Sequence, residues 1–329
     1  MRGTGLGTYA ANIAAALRER RDVELCELCR PNLDVWRFDR RIYWDQIAAP
    51  AAARRCKADV THFTGGTLPL FPPHPCVLTV HDCAWLGGAA AGRLYSKLYF
   101  ADVQRRLVRK AQRLVTDTQT TRNEIAERLR IDPERVAVVG AGVDGTWFGL
   151  QRAPADPPYV LADGTVEARK DLETAVRAIA LLPAVRLISV GVHTAYADRV
   201  RRTIAQLGLE GRVELRGYVD EQELKTLYRG ASALIFPSRY EGFGLPPLQA
   251  LAARLPVVAS GIPVLREVLD DCALFAQPGD VQEFAGCIQR ALAHPASLQP
   301  LIEKGCARAR CFTWESVAQR LVHVYRSLL

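Results

Sequence analysis

SALIFPSRYEGFGLPPLQALAARLPVVAS, residues 232–260, reads as a strand, a loop, a helix and a second strand. The flanking runs ALIFP (233–237) and PVVAS (256–260) are short, apolar and β-rich. Between them, YEGFGLPPLQALA (240–252) sets Glu241, Gly242, Phe243, Gly244 and Leu245 ahead of an apolar helical pattern. Gly242 and Gly244 let the backbone approach a ligand with no Cβ in the way. Pro246 and Pro247 suit a first helical turn, where the N–H groups they lack would have had no partner. The helix start thus falls at the carboxyl end of a strand with its positive dipole end open, a place for an anion such as a diphosphate. Glu241 lies on the loop side, where a carboxylate accepts hydrogen bonds from sugar hydroxyls. Gln249 sits eight residues later near the helix start, in reach of the other end of the same ligand. The stretch is expected to hold a sugar at one end and a ribose at the other, with phosphates between.

The same alternation continues outward. PYVLA (158–162), VRLISV (185–190), RVELRG (212–217) and ALFAQ (273–277) add strands, with helical patterns such as 171–182 and 223–231 between them. In the first half, strands are expected at VELCEL (23–28), DVTHF (59–63), CVLTV (76–80), RLVTD (113–117) and RVAVV (135–139), with helices over 8–21, 93–111 and 119–130. Apolar strands alternating with helices predict parallel sheets covered on both faces. Such doubly wound sheets bind ligands at the carboxyl ends of their strands. Residues 145–158, rich in Gly and Pro, read as the connection between two similar α/β domains.

The chain opens on a glycine turn, RGTGLGTYAANIAAAL, with no strand before it. A nucleotide-type α/β domain places a strand there. A central strand removed from a parallel sheet leaves unpaired backbone on both neighbours. A missing upstream segment of roughly ten to fifteen residues is therefore expected.

At 329 residues and 49 % apolar composition, the chain fits two filled domains and excludes a disordered one. No apolar run reaches eighteen residues and no apolar signal segment opens the chain. Nine scattered cysteines include a lone C-x-x-C, Cys26 and Cys29, read as buried strand thiols rather than a zinc site. Reduced thiols point to the cytoplasm. The net charge of +8 is uneven: residues 1–152 hold 23 Lys/Arg against 16 Asp/Glu, net +7, and the remainder 20 against 19, net +1. Its densest cluster, RRLVRKAQR (105–113), spaces Arg106, Arg109, Lys110 and Arg113 for one helical face. Two readings of that face stand: a solvated surface, or peripheral contact with an anionic membrane at its inner face. Nucleic acid is not indicated, because aromatics do not interleave with the charges.

ADGTVEARKDL (162–172) supplies a second loop, directly after the first strand of its domain. Lys170 and Arg169 sit where strand meets helix, a position where cations are disfavoured by the helix dipole unless they serve a ligand. There they would neutralise a leaving diphosphate. In CVLTVHDCAWL (76–86), His81 and Asp82 end an apolar strand, placed for ligand contact. No Asp-x-Asp occurs, so a metal bridged to diphosphate is not indicated, and no cofactor is expected beyond the nucleotide-sugar substrate.

Together these segments resemble glycosyltransferase family 4, whose members have the GT-B fold: two doubly wound, Rossmann-like domains facing across a cleft. SRYEGFGLPPLQALA…LPVVAS is similar to the family's Glu-x7-Glu region and GTVEARKDLETAVRAIALL to its donor-phosphate loop. VLTVHDCAWL resembles its His-Asp strand, GLGTYAANI its N-terminal glycine loop, and FTWESVAQRLVHVYRSLL the helix that returns to the first domain. The resemblance implies an acceptor-side domain over 1–147, a nucleotide-sugar domain over 148–311 and the returning helix over 312–329.

It also implies metal-independent transfer of a hexose from a nucleotide diphosphate sugar, with retention of anomeric configuration. General likeness to bacterial mannosyltransferases favours GDP-mannose, with a glycan or lipid-linked acceptor in surface polysaccharide synthesis of the lipopolysaccharide kind. Carried onto this chain, Gly5 and Gly7 line the diphosphate and acceptor side, and His81 touches the donor sugar. Lys170 holds the diphosphate, Glu241 holds the sugar hydroxyls, and the backbone around Phe243–Leu245 contacts sugar and phosphate. Two departures stand out. The second glutamate of the region is Gln249, which keeps ribose-binding geometry without the charge and so weakens donor affinity by roughly 1 kcal/mol. The arginine that many members place after the donor-loop glycine is Thr165, with Arg169 as a nearby substitute. A sugar-nucleotide-binding scaffold derived from such an enzyme is the competing reading; a phosphorylase or an epimerase fits the chain length and motifs less well.

Overall fold

The fold is taken from a computed structural model, which describes residues 5–29, 38–87, 99–293 and 295–329. The chain divides into two compact units, Met1–Gly142 with Thr313–Leu329, and Val143–Phe312.

Among its described residues, the first unit carries four parallel strands, β1 (Thr61–Phe63), β2 (Cys76–Thr79), β3 (Arg113–Thr116) and β4 (Val136–Val138), paired in that order. Every residue of β2 is buried, as a strand covered on both faces requires. Leu78, Leu114, Ile125 and Val136 build the core beneath the helix Gln119–Leu129. That helix starts where Thr118 accepts a hydrogen bond from the Thr121 N–H at 3.1 Å, satisfying one of the free amides of its first turn. The closing helix Trp314–Arg326 is capped in the same way by Thr313 and packs on the opening helix Gly5–Arg18.

The second unit carries six parallel strands: β5 (Tyr159–Asp163), β6 (Arg186–Val190), β7 (Val213–Gly217), β8 (Ala233–Phe236), β9 (Val257–Ser260) and β10 (Leu274–Ala276). Their order is β10-β9-β8-β5-β6-β7. From β5 the chain builds outward through β6 and β7, then returns to the other side of β5 for β8, β9 and β10. The order therefore reverses between β5 and β8, and their carboxyl ends form the crevice where doubly wound sheets take ligands. Val160, Leu187, Ile235, Val258 and Phe284 anchor its core.

Several expectations are overturned. VELCEL forms no strand: residues 23–29 carry no regular secondary structure and no ladder pairing among the described residues. A strand needs a neighbour for its backbone groups, and Leu28 and Glu27 remain exposed here. Cys26 is not a buried thiol but is bonded to Cys56, and Cys29 is exposed. The premise of fully reduced cysteines therefore fails. β1 to β4 pair consecutively, with β1 and β4 at the two ends of the described sheet. The glycine turn is itself helical, since Gly5 and Gly7 lie in the first turn of Gly5–Arg18.

The helix expected over 93–111 falls partly outside the described residues. Its described part is a π turn (Tyr99–Gln104), one α turn (Arg105–Leu107) and one 3-10 turn (Val108–Lys110). The four basic residues do not share a helical face. Arg113 opens β3 and donates to the Glu134 carbonyl. Arg109 donates to the Leu129 carbonyl at 2.8 Å, closing the carboxyl end of a helix, where a cation is favoured. Lys110 donates to the Leu70 carbonyl at 2.7 Å, and Arg106 is exposed.

Candidate active site

In the second unit, the loops after β5 and β8 meet at the reversal of strand order. The β5 loop turns sharply at Gly164 and packs on Gly191, which follows β6. A Cβ on Gly191 would lie 2.1 Å from the Gly164 carbonyl oxygen, and its φ of +134° disfavours any side chain. The loop then forms the 3-10 turn Ala168–Lys170 before the helix Leu172–Ala180. It is tied to the β8 loop twice, by Arg239 N–H to the Arg169 carbonyl at 2.8 Å and by Arg239 Nε to Asp171 at 2.7 Å.

These ties bring together three residues singled out in the sequence. Lys170 Nζ donates to Glu241 Oε1 at 2.5 Å and sits 4.9 Å from the centroid of the Phe236 ring. Arg169 reaches Glu241 Oε2 at 3.4 Å and the Tyr240 carbonyl at 3.3 Å, and pairs with Glu167 at 2.8 Å. Glu241 is 6 % exposed, so its carboxylate is held by two cations in a largely desolvated place where Coulomb attraction is stronger than at a surface. Asp163, Gly164, Thr165, Lys170, Phe236 and Ser238 line a recess beside them. Thr165 thus stands in the recess, whereas Arg169 stands on the Glu241 side. The Ser238 hydroxyl is buried with no hydrogen-bond partner among the described residues.

The helix Leu245–Ala252 begins where expected. Gly244 precedes it with φ +101°, and a Cβ there would come 2.7 Å from Leu265 Cδ2, so glycine is required on both counts. Pro246 and Pro247 occupy its first turn, and Gln249 lies half-buried on it. The Phe243 side chain is core, packed edge-on against Phe312 at 5.8 Å, which leaves only its backbone for a ligand. Gly242 is buried in the same turn.

Beneath this site lies a group that the sequence reading passed over. Asp163 ends β5 and accepts a hydrogen bond from the Tyr228 hydroxyl at 2.8 Å. Burial pushes its carboxyl up to about 6, against the opposing pull of the Tyr228 hydrogen bond and of Lys170. Tyr228 is raised well above the usual phenol range by burial and then by Asp163. An acidic residue closing a strand at the switch point was the available signal, the same one that singled out His81.

In the first unit, His81 follows β2. Its Nδ1 is 2.6 Å from Asp117 Oδ2, and its Nε2 is 3.3 Å from the Thr64 carbonyl. Its neighbour Asp82 instead accepts the Ala84 N–H at 3.0 Å, a local turn bond, so the expected ligand-facing pair reduces to His81. Tyr9, on the opening helix, stands edge-on to the His81 ring at 4.4 Å and to Trp314 at 5.6 Å. Gly5 is exposed, and a Cβ on it would meet nothing within 4 Å, so local packing does not demand glycine there.

A family model described as glycosyl transferases group 1 matches residues 145–308, and one described as glycosyltransferase family 4 matches residues 3–146. O-antigen chain mannosyltransferase B of Escherichia coli is 29 % identical over 236 residues, 66 % of this chain and 61 % of that protein. The chain spans 54–61 % of the length of the first curated mannosyltransferases it matches. Among solved structures, WaaG, a glycosyltransferase involved in lipopolysaccharide biosynthesis, superposes with a TM-score of 0.73 at 16 % identity over 99 % of this chain and 97 % of that one. Anabaena HepE, solved with UDP and glucose, gives a TM-score of 0.70 at 18 % identity over 85 % and 81 %. With matches running through both units and GT-B enzymes as its structural neighbours, the chain belongs to glycosyltransferase family 4.

Proposed function

We propose that the chain transfers a hexose, with retention of configuration, from a nucleotide diphosphate sugar to a glycan or lipid-linked acceptor in surface polysaccharide synthesis. The observation that carries this reading is the meeting of Lys170, Arg169 and Glu241 at the β5–β8 reversal, beside the start of the Leu245–Ala252 helix. GDP-mannose is the favoured donor, in keeping with the likeness to mannosyltransferases of O-antigen synthesis.

In this reading Lys170 and Arg169 take the diphosphate, and the helix start adds its positive dipole end together with the backbone N–H groups that precede Pro246 and Pro247. Glu241, released from the two cations, accepts hydrogen bonds from sugar hydroxyls. The cations matter most as the glycosidic bond breaks, because negative charge then grows on the leaving diphosphate. The acceptor hydroxyl attacks from the face the diphosphate leaves, and its proton passes to a diphosphate oxygen. No covalent sugar–protein intermediate and no metal are part of this reading. Gln249 takes the ribose hydroxyls as a neutral partner. That residue also supports a second reading, a sugar-nucleotide-binding protein with impaired transfer.

Contact with an anionic membrane remains part of the proposal, on a revised surface. Phe71 is 72 % exposed and Leu70 48 %, and Lys110 lies 5.6 Å over the Phe71 ring. Apolar side chains beside a cation suit an interface of anionic head groups. Among the described residues, no helix is long and apolar enough to cross a membrane.

A donor panel of guanosine and uridine diphosphate sugars, followed by mass spectrometry for transfer and hydrolysis, tests the function. Turnover of one donor supports the enzyme. Binding without turnover, restored by Gln249→Glu, supports the impaired scaffold instead.

A further inference from the structure

The polar centre of the first unit contains two histidines in opposite surroundings. His62, in β1, places Nδ1 2.7 Å from the Tyr325 hydroxyl and Nε2 2.8 Å from the Thr79 hydroxyl. Hydroxyls both donate and accept, so a neutral imidazole satisfies both contacts. His81 faces two acceptors instead, the Asp117 carboxylate on Nδ1 and the Thr64 carbonyl on Nε2. A neutral ring can donate from one nitrogen only and would turn the other lone pair on an acceptor. A ring carrying both protons satisfies both.

The strand order builds this arrangement. β1, β2 and β3 are neighbours, and the chain after each supplies Thr64, His81 and Asp117 in turn. Asp117 is 5 % exposed and immediately precedes Thr118, the cap of the Gln119–Leu129 helix, whose positive end favours a carboxylate. Its Oδ1 is buried with no hydrogen-bond partner among the described residues, as is the Tyr9 hydroxyl. The His81 side chain is 16 % exposed against 4 % for Asp117, so the ring is the member of the pair that a ligand can reach.

We propose that Asp117 is a positioning residue that fixes His81 as a doubly protonated ring and presents its Nε2–H as a hydrogen-bond donor to a substrate oxygen. The inference rests on the transferase reading for the ligand, and on geometry alone for the state of the ring. No proton leaves the imidazolium. It exchanges the Thr64 carbonyl for a substrate oxygen, a charge-assisted bond to an acceptor. The groups facing His81 are Asp117, the adjacent Asp82, Tyr9 and His62, with Tyr325 behind His62 and Arg320 behind Tyr9. Burial opposes the charged ring, yet the balance with Asp117 raises His81 above the usual imidazole value, while burial and the His81 charge drive His62 down to about 3.

Histidine NMR on the full chain tests the ring directly, with His81→Gln identifying its signal. Expected is a His81 ring protonated on both nitrogens at pH 7, titrating above 6.5, and a midpoint below 6.5 in Asp117→Asn. A neutral wild-type ring at pH 7, or the same midpoint in Asp117→Asn, overturns the proposal. Should Asp117→Asn not fold, the wild-type titration decides alone. With a donor that turns over, Asp117→Asn is expected to lose roughly 10²-fold in kcat, as when one donor to a charged oxygen is weakened. The alkaline limb of its pH profile is expected to move down with the His81 midpoint, and an unmoved limb counts against the proposal. If no donor turns over while the NMR result holds, the transferase reading has failed and the positioning role stands.

Discussion

Lys170 and Glu241, 71 residues apart in sequence, form a 2.5 Å ion pair because the strands that precede them, β5 and β8, are neighbours at the point where the sheet reverses its order. The carboxylate is almost wholly buried, so the pair is held in an environment of low effective dielectric. Removing either partner leaves the other with less compensation. Lys170→Ala is expected to lower kcat by about 10²- to 10³-fold, the range seen when one group stabilising developing charge is removed. Steady-state kinetics on the donor identified by the panel checks it. Loss confined to KM would mean that Lys170 serves binding alone.

Gln249→Glu is expected to tighten donor binding several-fold, the difference between a neutral and a charge-assisted hydrogen bond to a ribose hydroxyl, about 1 kcal/mol. Calorimetric titration of wild type and variant measures it. Unchanged affinity would separate Gln249 from the ribose.

Asp163 makes stability depend on pH in an unusual direction. Its carboxyl is raised by burial to about 6, so between its ordinary value and 6 the folded state binds more protons than the unfolded state. Stability therefore falls as pH rises through that window and levels off above it. Asp163→Asn keeps an acceptor for the Tyr228 hydroxyl and removes the buried charge. It is expected to stabilise the protein at pH 8 by about 1–3 kcal/mol and to flatten the fall between pH 4 and 6. Chemical denaturation at several pH values reads both effects.

His62 acts in the opposite sense. Burial holds it neutral down to about pH 3, so below 6.5 the unfolded state takes up the proton first, and stability falls as pH falls. His62→Gln keeps polar contact with Tyr325 and Thr79 and is expected to reduce the acid sensitivity of the melting temperature.

Much of this site was legible in order along the chain. The strand–turn–helix of 232–260 lies where its glycines and prolines put it, because backbone chemistry at Gly244 and Pro246 is local. All six strands of the second unit match apolar runs in the sequence. What escaped was set by contacts distant in sequence. VELCEL has strand composition but no ladder partner among the described residues, and Cys26 is bonded to Cys56, which no spacing indicates. Arg109 and Arg113 looked like a charged face and instead serve backbone carbonyls of Leu129 and Glu134, twenty or more residues on. Asp117 and Asp163 carried the same strand-end signal as His81, yet their partners became visible only once neighbouring strands were known.

The central claim is that a diphosphate-linked sugar binds the second unit through Lys170, Arg169 and Glu241. Calorimetric titration of GDP-mannose and its uridine counterparts into wild type, Lys170→Ala and Glu241→Gln tests it most directly. The claim requires saturable binding of at least one donor to wild type, with affinity reduced at least tenfold in Lys170→Ala and also reduced in Glu241→Gln. Equal affinity in all three proteins would place the ligand elsewhere and contradict it.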